Sequence, residues 1–252
     1  MTTSVQGKSA LVTGGGSGIN LCFVRILLDN GCSVLIADLK LRPQAQQLLK
    51  QYLFPGVDGE ARVFFQETDV TSWPQLTGAW KKALEKFTTV DIVVPGAGLF
   101  EPQWSSFWEP PKTESNEDSV SRDDANAEPG HYAVLDVNLV SPIRLSQLAI
   151  GHWTKTKQKG CLVHVGSMAG YLAGIATPLY FANPLEVARG MWQLVVNPEY
   201  GNGTILEVTK GETRVVPLFN APIPTGEGIM VPGYEASKDA LYAKMKTEGL
   251  DV

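Results

Sequence analysis

The chain has 252 residues, of which 44% are hydrophobic and 19% charged. That length and balance fit one large domain or two very small ones with a sizeable core, and argue against a globally disordered chain. With 21 basic against 26 acidic residues the formal net charge is −5, which excludes a general nucleic-acid binder needing a basic face for phosphates.

Ser9–Thr13 is a short apolar run that ends in glycines, and Ile19–Asn30 follows with helical apolar spacing (Leu21, Val24, Leu27, Leu28). Ser33–Ala37 is a second buried-strand run closed by Asp38. Pro43–Phe54 is helical in character, Ala61–Thr68 alternates like a strand, Trp73–Phe87 is amphipathic and Val90–Val94 is a fourth apolar run. Strands alternating with helices at this spacing predict βαβ units and a parallel sheet. Right-handed crossovers then lead to an α/β, Rossmann-type, doubly wound arrangement. Glu101–Gly130 interrupts the pattern with Glu109-Pro110-Pro111-Lys112 and a polar run through Glu128-Pro129-Gly130. Excursions of this length are usually functional or disordered. Helical periodicity returns at His131–Thr154 and a strand is expected at Gly160–Val165. Further on, Pro184–Val196 reads as a helix, Thr204–Val208 and Arg214–Leu218 as strands, and Ser237–Thr247 as a C-terminal helix.

Cys22, Cys32 and Cys161 are odd in number and scattered, so they read as apolar residues in a reducing compartment. Neither a signal-peptide apolar region nor a membrane-spanning run is evident, and a soluble cytoplasmic protein is expected. His131, His152 and His164 share no ligand spacing, and no metal site is expected.

Thr13-Gly14-Gly15-Gly16-Ser17-Gly18-Ile19-Asn20 joins the first strand to the first helix. Glycines there let the backbone turn sharply and approach a pyrophosphate, which rests on amides at the helix N-terminus. Asn20 stands where a third glycine is usual, and its side chain is expected to crowd the loop or alter phosphate contact. Asp38, at the end of the second strand, can accept from both ribose hydroxyls and repel a 2′-phosphate, favouring NAD; Lys40 and Arg42 partly offset that repulsion and keep NADP as the alternative.

Taken together, Thr13–Asn20, Asp69-Val70-Thr71, Gly96-Ala97-Gly98, Asn138 and Ser167 resemble successive landmarks of the short-chain dehydrogenase/reductase family, over roughly the first 180 residues. The finer likeness is to fungal members related to 15-hydroxyprostaglandin dehydrogenase. The resemblance implies a cofactor site of Gly14, Gly16, Ser17, Gly18, Ile19 and Asp38, with Asp69 and Val70 at the adenine and Gly96, Ala97 and Gly98 beside the central strand. Pro95 stands where an asparagine is common, removing a side-chain hydrogen bond and a backbone donor. It also implies a single domain: residues 1–98 as the dinucleotide-binding half, 99–130 as the insertion, 131–182 as a partial catalytic half, and 183–252 as a helix, strands and tail.

Exchange of a hydroxyl proton by a phenol needs a cation that lowers its pKa from about 10. The family does this with a serine, a tyrosine, a lysine four residues after the tyrosine, and an asparagine that holds a water relay. Ser167, Tyr180 and Asn138 fit the serine, tyrosine and asparagine, but Pro184 stands at the lysine position. The residue order reads as if the rest of the catalytic helix, a strand and the substrate lid were cut out between Ala182 and Asn183. A genuine shortening is the preferred reading, with a stretch omitted from the numbering as the alternative. Tyr234-Glu235-Ala236-Ser237-Lys238 repeats the Tyr-x-x-x-Lys spacing, but its place after the last strand favours a surface helix. Trp104, Phe107 and Trp108 on the insertion either wall an apolar substrate or pack on the domain.

The leading expectation is an NAD(P)-dependent oxidoreductase that interconverts a secondary alcohol and a ketone on a small hydrophobic molecule, with a role in fungal secondary metabolism. The alternative is a cofactor-binding or scaffold relative without turnover. Homo-oligomers are common in the family, but one of the helices that would form them is largely missing here.

Overall fold

Five strands form one parallel sheet in the computed structural model, in the order β3-β2-β1-β4-β5. The structure describes residues 4–52, 61–100, 102–106, 109–166, 194–197, 199, 205–209 and 212–216, with single positions at 239, 240, 243 and 247. The strands are β1 (Ser9–Thr13), β2 (Ser33–Asp38), β3 (Val63–Glu67), β4 (Ile92–Val94) and β5 (Cys161–Leu162). Between them run α1 (Gly18–Asp29), α2 (Pro43–Tyr52) and α3 (Trp73–Phe87). The last crossover carries a continuous helix Ala133–Thr156, made of α4 (Ala133–Leu135), a π-helical turn (Asp136–Val140) and α5 (Ser141–Thr156).

The apolar runs are continuous because the sheet is covered on both faces. Successive side chains point to opposite sides of a strand. Ala10 and Val12 therefore join Val34, Ile36, Ile92 and Val94 on one face, under Phe23, Val24 and Leu27 of α1. Leu11 joins Leu35 and Val93 on the other face, under Ala79, Trp80 and Ala83 of α3 and Leu145, Leu148 and Trp153 of α5. Ala133–Thr156 is long and apolar enough, by length and composition only, to cross a membrane. Its Leu145, Leu148, Ala149 and Trp153 bury against the sheet, and the Trp153 indole N–H donates to the Val90 carbonyl at 2.6 Å.

The excursion has little regular structure but a defined course. A 3-10 turn at Gln103–Ser105 opens it, and a bridge pairs Ser106 with Glu109. Ser119, Ser121 and Asp123 point inward at alternate positions and are buried. Ser119 Oγ donates to the Pro110 carbonyl at 2.5 Å, and each inward serine accepts the amide two residues on. Asp123 Oδ1 then accepts the Ser105 hydroxyl at 3.1 Å and the Ala133 amide at 2.9 Å, while Ser105 Oγ accepts the Val134 amide at 3.1 Å. Two of the amides that a helix start leaves unpaired are thus capped from the excursion. Trp104 lies under the Arg122 guanidinium at 5.4 Å, so it packs within the excursion itself.

The expected strands Thr204–Val208 and Arg214–Leu218 fall at β6 (Ile205–Thr209) and β7 (Glu212–Val216), which pair antiparallel with each other in a separate two-stranded sheet and not with the parallel sheet. Two residues separate these strands, enough for a hairpin and far too few for a parallel crossover. Of the helix expected at Pro184–Val196, residues 194–196 are described and are helical. The Tyr234–Lys238 segment, Phe107 and Trp108 lie outside the described residues.

Cys32 is fully buried, and that burial, with the Asp91 carboxylate nearby, pushes its thiol from 9.0 up to about 12. A raised folded-state pKa stabilises below the unfolded value and loses that contribution as pH rises from 9 toward 12. Cys32→Ala should therefore flatten the alkaline side of the stability curve measured by urea unfolding. Asp123→Ala removes the acceptor at the helix start and should cost about 1–2 kcal/mol, read as a lower urea midpoint.

Candidate functional site

The strand order reverses between β1 and β4, and in open α/β sheets the crevice beyond the carboxyl ends of strands at such a point is where ligands bind. The ends of β1, β2 and β4 converge there. Gly14 leaves β1 with φ +68, and a Cβ on it would lie 2.7 Å from the Ala97 Cα. Thr13 Oγ1 accepts the amides of Gly96 and Ala97 at 3.0 and 3.2 Å. The glycine loop and the β4 exit are therefore in backbone contact, which only glycine permits.

Asp38 closes the other side. Its Oδ2 accepts the Gly16 amide at 2.8 Å, and a Cβ on Gly16 would meet Lys40 O at 2.7 Å. The Arg42 amide donates to Gly16 O at 3.2 Å, so the β2 exit wraps the loop. Gly18, with φ +58, begins α1, and the Ser17 side chain makes no capping bond. The uncapped amides of this helix start, with glycines around them and open space beside Gly18, are the donor set a pyrophosphate requires. The expected cofactor residues Gly14, Gly16, Ser17, Gly18, Ile19 and Asp38 thus come together.

Asp69 and Val70 form the turn before α3. Asp69 Oδ1 accepts from both the amide and the hydroxyl of Thr71 at 2.9 and 2.7 Å, and Val70 is buried. The Asp69 carboxylate thus shapes its own turn, while the Thr68 amide ties that turn to Asp38 O at 2.9 Å.

Asn20 lies close to both the loop and β4, its Nδ2 3.2 Å from the Cβ position of Gly14. Its buried carboxamide turns toward β4, where Nδ2 donates to Gly96 O at 2.6 Å. No periodic signal in the sequence marks this contact.

Asn138 lies in the π-helical turn and is exposed. Its Oδ1 accepts the Leu99 amide and its Nδ2 donates to the Leu99 carbonyl, each at 2.8 Å. A carboxamide engaged this way keeps one N–H and one lone pair for a further partner. A Cβ on Gly98 would lie 3.6 Å from the same Oδ1. Beyond β5, His164 pairs through Nε2 with Ser146 Oγ at 3.3 Å, and partial burial lowers its pKa. Ser167 and Tyr180 lie outside the described residues.

Comparison with known proteins places these features. The family model for short chain dehydrogenases matches residues 8–183. The chain is 29% identical over 180 residues to the short-chain dehydrogenase/reductase prx4 of Penicillium roqueforti, covering 71% of this chain and 46% of that protein. It is 28% identical over 181 residues to human 15-hydroxyprostaglandin dehydrogenase [NAD(+)], covering 71% and 57%. The chain thus spans about half the length of these relatives. Among solved structures, a short-chain dehydrogenase from Burkholderia cenocepacia in complex with NADP aligns with a TM-score of 0.51 and 25% identity, covering 76% of this chain and 67% of that one. A Burkholderia phymatum relative in complex with NAD shares the fold, with a TM-score of 0.52 at 19% identity over 75% and 57%.

Gly14→Ala sets a side chain against Ala97 at a positive φ and should destabilise by more than about 1 kcal/mol. Gly78→Ala, inside α3 with nothing within 4 Å, should stabilise by about 0.5–1 kcal/mol. Urea unfolding of the two variants checks the contrast.

Proposed function

The chain belongs to the short-chain dehydrogenase family, and from that premise we propose that it is an NAD(P)-dependent oxidoreductase interconverting a secondary alcohol and a ketone on a small hydrophobic molecule. The observation that carries this reading is the uncapped start of α1, flanked by Gly16 and Gly18 and clasped by Asp38. A bound nicotinamide dinucleotide supplies a hydride acceptor or donor.

The residues of the chain supply the remainder. Amides at the α1 start hold the pyrophosphate. Asp38, oriented by the Gly16 amide, accepts from the adenosine ribose hydroxyls and disfavours a 2′-phosphate, which makes NAD the preferred cofactor. The likeness to an enzyme named for NAD(+) supports that preference. Asn138 holds the Leu99 backbone and offers its remaining donor and acceptor to a water. In this reading Tyr180 exchanges the substrate hydroxyl proton, Ser167 orients its oxygen, and a cation other than the family lysine, or none, tunes the phenol. The proposal includes a role in fungal secondary metabolism, and similar short-chain dehydrogenases/reductases occur in Penicillium roqueforti and Acremonium egyptiacum.

A specific observation favours a second reading, a cofactor-binding relative without turnover. Pro184 stands four residues after Tyr180, and the family match ends at residue 183. A proline neither carries charge nor continues a helix interior.

Quenching of NADH fluorescence tests binding, and a panel of secondary alcohols followed at the NADH absorbance tests turnover. Binding with turnover is expected. Binding alone supports the second reading, and absence of both overturns the two together. Asp38→Ala should raise affinity for NADPH relative to NADH about tenfold.

A further inference from the structure

Asn20 and Gly96 occupy each other's space. A Cβ on Gly96 would lie 2.6 Å from Nδ2 and Oδ1 of Asn20 and 2.7 Å from its Cγ. Gly96 has no positive φ, so its backbone would accept an ordinary side chain. What requires glycine at 96 is the carboxamide of Asn20, standing where the side chain would go. The amide nitrogen of Asn20 also lies 3.2 Å from the Cβ position of Gly14. One side chain therefore fills the gap between the exit of β1 and the exit of β4.

That carboxamide is half satisfied. Nδ2 donates to Gly96 O, while Oδ1 is buried and has no hydrogen-bond partner among the described residues. A buried acceptor without a donor is unfavourable and calls for an explanation. Its position supplies one. Asp38 lies on the β2 side of the glycine loop, where the adenosine ribose belongs, so the rest of a dinucleotide extends across the switch point toward β4. Asn20 is on that second side.

We propose that Asn20 and Gly96 are a matched pair that positions the nicotinamide half of the dinucleotide. The Asn20 nitrogen fixes the β4 exit, and its oxygen accepts a donor from the nicotinamide riboside. This rests on the dinucleotide-binding reading above and adds a positioning residue to it.

Four full-length chains test the pair: wild type, Asn20→Gly, Gly96→Ala and the double variant. Each is titrated with NADH and with ADP, which carries the adenosine and pyrophosphate but no nicotinamide. Asn20→Gly should weaken NADH about tenfold and ADP by less than about twofold, and shift the emission maximum of bound NADH. Gly96→Ala should weaken NADH at least as much. The double variant should bind NADH no worse than Asn20→Gly alone, because the new methyl then enters vacated space. Equal loss of NADH and ADP affinity in Asn20→Gly overturns the positioning role while leaving dinucleotide binding intact. Additive losses in the double variant overturn the pairing. If Gly96→Ala does not fold, recovery of a cooperative thermal transition in the double variant supports the pairing, and its absence overturns it. A wild-type chain that binds no NADH overturns the dinucleotide reading and this inference with it.

Discussion

The contact between the ends of β1 and β4 is the constraint on which the rest of the site depends. Thr13 Oγ1 takes the amides of both Gly96 and Ala97, and Gly14 approaches Ala97 more closely than any side chain allows. Two strands that are sequence-distant but adjacent in the sheet are thereby locked at their exits. The glycine loop above them has its height set by that lock on one side and by the Asp38–Gly16 bond on the other. The placement of the glycine loop is therefore a product of strand order, because only the reversal at β1 and β4 brings these three exits together.

From the same junction a second set of bonds runs into the other half of the sheet. The Gly96 amide donates to Val94 O, closing a tight turn around Pro95 just past the last paired residue of β4. A proline is tolerated there because the ladder asks no donor of it. Three residues on, Leu99 is gripped on both its amide and its carbonyl by Asn138. The excursion that follows returns to the start of the same helix through Asp123 and Ser105. It is a strap tied to one helix at two points, at Ala133 and Val134 near the helix start and at Asn138 about one turn further on. The second of these attachments lies within the π-helical turn.

The departures from the family pattern fall into two kinds. Asn20 and Pro95 are each accommodated locally, the carboxamide taking the space beside Gly96 and the proline sitting beyond the ladder. These are mutually consistent choices of the sort that leave a fold intact. Pro184 is of another kind, since it stands where the family resemblance implies a lysine and cannot carry a charge. The exchanges at the β1 and β4 exits are thus balanced locally, whereas under the proposed function proton exchange depends on what surrounds Tyr180.

The sequence by itself determined the parallel α/β sheet, the glycine turn between β1 and α1, and the place of Asp38 at the end of β2, because each rests on local signals: continuous apolar runs, glycines between strand and helix, and a carboxylate at a strand end. Boundaries moved by one or two residues at β3 and β4 and by three at the end of β5, where strand ends are set by neighbours. Tertiary structure alone decided three things. It paired β6 with β7 instead of the main sheet, since ladder partners are chosen in space. It turned the Glu101–Gly130 stretch into a cap for Ala133 and Val134, because its buried polar residues carry no periodic apolar signal. And it gave Asn20 its partner 76 residues away, a hydrogen bond that exists only because strand order places the exit of β4 beside the start of α1.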